Sequence, residues 1–103
     1  MIRHIVLAKF PSNLPQTEID GVFAELAAIE KILPDMQGFT SGSNVSSEAL
    51  GRGYGHALVV DFIDATARDA YLDHPAHVAA GARLVSKTEG GIEGILVIDI
   101  EME

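Results

Sequence analysis

The chain has 103 residues, 48% of them apolar and 21% charged, and its 15 acidic against 7 basic side chains leave a net charge of −8. That length bounds it to one domain with a single core, and the acidic balance argues against phosphate backbones and anionic lipid, so neither nucleic acid nor a membrane surface is an expected partner. Zero cysteines exclude disulfides, thiolate nucleophiles and Cys-ligated metals; with no apolar run near 18 residues and no leader pattern, the chain reads as cytoplasmic.

Residues 2–10, IRHIVLAKF, are dense in β-branched and apolar side chains and stop at Pro11, which predicts a first strand. Thr17 with Asp20 three residues on is like a capping box, and Ile19, Val22, Phe23, Leu26, Ile29 and Leu33 recur at steps of three or four. This spacing predicts an amphipathic helix over 17–33, closed by Pro34. Phe39 to Val45 alternates weakly and predicts a second strand. A loop carrying Gly51, Gly53 and Gly55 leads into HALVVDF, 56–62, a third strand. Asp64 is placed to cap a helix running to about 73, and a second helical segment follows Pro75 to about Lys87. Gly90, Gly91 and Gly94 punctuate the approach to a last strand over 95–102.

The order β-α-β-β-α-β, with its second helix broken, predicts an α+β, ferredoxin-like sandwich over 1–103, helices on one face of an antiparallel sheet. The strands are apolar on both faces. Leu58, Val60 and Phe62 oppose Ala57 and Val59; Val6, Ala8 and Phe10 oppose Ile5 and Leu7; Leu96, Ile98, Ile100 and Met102 oppose Ile95 and Val97. One helix layer covers one face, so the other would leave a broad apolar patch in water. A second copy, sheet facing sheet, removes it, and a homodimer is expected.

The run Tyr71-Leu72-Asp73-His74-Pro75-Ala76-His77-Val78 concentrates groups that move protons near neutral pH. On one continuous helix Tyr71 and His77 would lie about 120° apart. Pro75 disfavours helical geometry at His74 and removes a donor, so a break there can turn both side chains toward one pocket. His4 shares a strand face with Ile2, Val6 and Ala8, where a histidine is either a satisfied core residue or the floor of that pocket; its polar atoms need a partner in both cases. Tyr71 on an inner helix face is by default core. His74 is expected to end the first helical segment, and His56 and Tyr54 to fix the loop and strand end. No HxH, HxxxH or HExxH spacing occurs, so no metal is expected. Gly51 to Gly55 precede a strand and open no helix, which makes them a turn and not a phosphate cradle. Asp99 to Glu103 read as a solvated strand tip.

Over nearly its whole length the chain resembles the stress-responsive A/B barrel (Dabb) family. The similarity lies in IRHIVLAKF at 2–10, Asn44-Val45-Ser46, Gly53-Tyr54-Gly55-His56-Ala57-Leu58-Val59, and Tyr71 with His-Pro-x-His-Val at 74–78. The resemblance implies a dimeric α/β barrel. One member is a plant polyketide cyclase whose acid–base residues fall on His4, Tyr71 and His77, which implies a shared pocket. The candidate catalytic residues are therefore His77, Tyr71 and His4, and the candidate substrate contacts His4, Val6, Tyr71, His74 and Val78. Three functions are compatible: cofactor-free acid–base chemistry on a carbonyl compound, binding of a small apolar or aromatic ligand, or a stress-associated structural dimer. Haem-degrading and cofactor-free monooxygenases share related barrels, but this chain has no tryptophan and no match to their sites.

Overall fold

The computed structural model describes residues 1–103. In chain order it comprises β1 (Ile2–Ala8), α1 (Gln16–Ala27), a 3₁₀ turn (Ala28–Lys31), β2 (Met36–Ser43), β3 (His56–Phe62), α2 (Ala65–Asp73), α3 (Pro75–Lys87), a second 3₁₀ turn (Gly91–Gly94) and β4 (Ile95–Glu101). The strands form one antiparallel sheet in the order β2-β3-β1-β4. This is a ferredoxin-like α+β fold. No helix is long and apolar enough to cross a membrane.

Alternation along the strands decides what each face buries. Ile2, His4, Val6 and Ala8 of β1 and Leu58, Val60 and Phe62 of β3 are buried under the helices. They meet Ile19, Val22, Phe23 and Leu26 from α1, Ile29 from the first 3₁₀ turn, Tyr71 from α2, and Ala80 and Leu84 from α3. On the opposite face Ile5, Leu7 and Val59 are half-buried, while Leu96, Ile98 and Ile100 are exposed. Arg3 and Asp61, cross-strand partners on that face, form a two-pronged ion pair at 2.9 and 3.0 Å.

Several boundaries differ from the sequence reading. The first helix ends at Ala27, and the chain tightens into a 3₁₀ turn that still drives Ile29 into the core. Thr17 and Asp20 do not cap it: the N-cap residue is Pro15, without a side-chain cap bond, and Asp20 accepts instead from Gln16 at 2.9 Å. β2 begins at Met36, three residues early, because a register shift between Met36 and Gly38 interrupts the alternation that marks a strand. Asp64 does cap α2, its carboxylate accepting from the Ala67 amide at 2.8 Å.

The loop after α3 is held rigidly. Thr88 Oγ1 lies 2.8 Å from the Val85 carbonyl and 2.6 Å from that of Gly91. Backbone bonds join Glu89 and Gly94 to Lys9. Only glycine fits at position 94, since a Cβ there would lie 2.3 Å from the Glu89 carbonyl oxygen. This pinning fixes Ile92 beside the end of α3.

Candidate functional site

The break at Pro75 is realised as a change of backbone at a single residue. His74 is extended (φ −66°, ψ 134°), ending α2, and its Nδ1 accepts from the Ala76 amide at 3.0 Å to start α3. Proline at the first helical position forgoes an N–H that a helix start leaves unpaired anyway. The redirection brings Tyr71 and His77 together, their ring centroids 4.3 Å apart at 51°. Tyr71 also meets Phe62 at 4.9 Å and, edge-on, His4 at 6.0 Å.

An open cleft of about 490 Å³ lies between α3, the end of α2, and strands β1 and β4. Its polar lining is His4, His77 and Asp99, and its apolar walls include Val6, Leu84 and Ile95. Exposed Leu72, Val78, Ile92 and Val97 form the rim. Of the residues singled out from sequence, His4, Val6, His77 and Val78 reach this cleft. Tyr71 and His74, expected among the ligand contacts, are not part of its lining. His74 is used as a helix cap, and Tyr71, only 1% exposed, lies against His77 in the core. The Tyr71 hydroxyl has no partner within the chain, yet no fully buried side-chain oxygen lacks one, so the residue's remaining exposure lies at that hydroxyl. Burial pushes its phenol up to about 12, so it stays protonated.

Each cleft imidazole is oriented by a bond to Nδ1. His77 Nδ1–H donates to the Leu72 carbonyl at 3.3 Å, leaving Nε2 with its lone pair. Burial, opposed by that bond and aided by nearby His4, lowers the His77 pKa below 6.5, so the ring is neutral at pH 7. His4, 5% exposed, has Nδ1 at 2.7 Å from Asp99 Oδ1, and Arg68 Nη1 donates to the other Asp99 oxygen at 3.1 Å. Sequence reasoning missed Asp99. It stands on an exposed strand end, as expected, but its side chain, 24% exposed, turns to pair directly with His4. The available signal was parity, for Asp99 shares a face with Ile95 and Val97, but the His4–Asp99 pairing needs the strand register.

His56 and Tyr54 lie elsewhere. His56 meets Phe10 and Phe23 edge-on at 5.2 and 6.2 Å, and Lys9 Nζ sits 4.6 Å over the Tyr54 ring. No three His, Asp or Glu side chains converge in a way that would hold a metal ion.

One antiparallel sheet with its helices on one face makes this a ferredoxin-like α+β domain, with an open cleft that both His4 and His77 reach. The chain belongs to the Stress responsive A/B Barrel Domain family, whose model matches residues 2–102. It is 30% identical over 98 residues to the stress-response A/B barrel domain-containing protein HS1 of Arabidopsis thaliana, covering 95% of this chain and 86% of that protein. A dimeric ferredoxin-like protein from Jannaschia sp. CCS1 superposes with a TM-score of 0.91 at 32% identity, over 98% of both chains. A hydroxynitrile lyase from Passiflora edulis shares the fold, with a TM-score of 0.86 at 22% identity over 99% of this chain and 93% of that one.

Proposed function

We propose that this protein is a homodimer in which each protomer's cleft takes a small apolar or aromatic carbonyl compound, and that neutral His77 removes a proton α to the carbonyl without a cofactor. One observation carries the reading: the bond from His77 Nδ1 to the Leu72 carbonyl leaves Nε2 as a bare acceptor in a cleft with an apolar rim. A base needs this tautomer, and the lowered pKa supports it by keeping the ring unprotonated at neutral pH. His4, held by Asp99, is the second polar anchor. Tyr71, protonated and packed against the His77 ring outside the cleft lining, is proposed to position that imidazole and does not itself touch the substrate. In the homodimer the apolar sheet face around Ile5, Val59 and Ile98 is buried against its copy, a reading supported by the dimeric neighbour from Jannaschia.

The test is α-proton exchange. In D₂O, ¹H NMR should record loss of the α-proton signals of enolisable aryl ketones with the wild-type protein. His77→Ala should slow this by about 10²–10⁴-fold, the usual contribution of a positioned base, while the protein stays folded and dimeric. Unchanged exchange in His77→Ala removes His77 as the base. Saturable ketone binding without exchange would favour the ligand-binding function instead.

A further inference from the structure

Gly81 stands one turn after His77 in α3, in the sequence PAHVAAGARLVSK. Glycine is the poorest helix former after proline, and three of its near neighbours, Ala79, Ala80 and Ala82, are the best. A Cβ at Gly81 would meet only His77, with Cε1 at 3.8 Å and Nε2 at 4.0 Å; beyond its own helix backbone, nothing else lies within 4 Å. Those are ordinary van der Waals distances. Packing therefore does not forbid alanine, and the backbone is helical, so no left-handed geometry demands glycine. What an alanine would take is space in the cleft, beside the one nitrogen that the Leu72 bond leaves free.

We infer that Gly81 is a specificity-determining residue, which keeps open the space beside His77 Nε2 for a substituted α-carbon. The inference rests on the reading of His77 as the base. A reacting carbon must come within about 3–3.5 Å of that nitrogen. A methyl group 4.0 Å from the same atom would crowd one side of the approach. A bare methyl carbon or a hydroxyl can still enter; a carbon with a branch on that side cannot. The substrate class thus extends beyond methyl ketones to ketones whose acidic carbon carries substituents.

The experiment compares wild type, Gly81→Ala and Gly81→Ser with two probes, acetophenone and isobutyrophenone, by α-proton exchange in D₂O. Alongside it, mass spectrometry follows carbethoxylation of His77 by diethyl pyrocarbonate, with His74 as internal reference. Gly81→Ala should melt about 4–8 °C higher, as expected of alanine in a helix interior. Its exchange rate on isobutyrophenone should fall at least about tenfold relative to acetophenone, the range that one methyl group decides. His77 modification should slow several-fold. Gly81→Ser should lose the same selectivity without the thermal gain. A rate ratio and a modification rate both within twofold of wild type overturn the inference. So does a Gly81→Ala that melts lower than wild type, which would assign the glycine to folding. If wild type exchanges neither ketone while Gly81→Ala still shields His77 from the reagent, the steric role stands and the base reading fails.

Discussion

The two faces of the sheet are built from similar residues and end differently. Under the helices, Val60 and Phe62 are completely buried, and the face takes in an imidazole, His4, satisfied by Asp99. On the open face Ile98 is 52% exposed and Ile100 44%, and the polar pair is Arg3 with Asp61. The covered face buries its polar group because a neighbouring strand supplies a carboxylate at 2.7 Å. The open face keeps its charges near the edge of an apolar patch that no part of this chain covers. Apolar content alone does not tell a core from an interface; what lies opposite does.

β4 offers the sharpest way to break this comparison, because adjacent residues serve opposite faces. Ile98→Asp places a charge in the proposed dimer interface and should convert the dimer to monomer at micromolar concentration in sedimentation velocity. Val97→Asp, one residue away but on the cleft rim, should leave association intact. If both variants stay dimeric, the open face is not the interface.

Within the covered face, Phe62→Ala should lower unfolding free energy by about 3–5 kcal/mol in urea titrations, the usual cost of an aromatic cavity. Asp99→Ala strands a buried His4 nitrogen and should cost about 1–3 kcal/mol; ¹⁵N NMR of the His4 ring should show its tautomer no longer fixed.

The pH dependence is smaller and has a definite sign. The His77 pKa is lowered in the folded state, so below 6.5 the unfolded chain binds the proton first and stability falls with pH until the folded ring also protonates. Stability should rise with pH through the window just below 6.5, and His77→Phe should flatten that segment of the urea midpoint against pH. Exchange activity should persist to lower pH than a free imidazole would allow. Tyr71→Phe should change stability least, within about 0.5 kcal/mol, because the hydroxyl it removes has no partner in the chain. Its exchange rate should fall by less than that of His77→Ala.

Much of this was legible in local chemistry. The third strand, 56–62, and the Asp64 cap follow from residue type and spacing, and so does the division of the last helices at His74-Pro75. Their signals act over a turn or a few residues, where backbone sterics and one hydrogen bond decide the outcome. The weak points were those where local signals compete. Ala-rich 24–28 continues a helical period, yet the chain tightens after Ala27 so that Ile29 reaches the core. At β2 a bulge scrambled the alternation.

The sequence by itself determined the order of elements, the two-faced strands and the histidine–proline break, since each depends on near neighbours along the chain. Only the tertiary structure decided which polar groups meet. Asp99 reaches His4 across 95 residues because antiparallel register sets them side by side. Tyr71 lies against His77 and outside the cleft because Phe62 and His4 fill the space around its ring. The gap beside Nε2 likewise exists only where α3 carries Gly81 past the imidazole. Contacts between distant segments depend on register and packing, and neither is written in any one stretch of sequence.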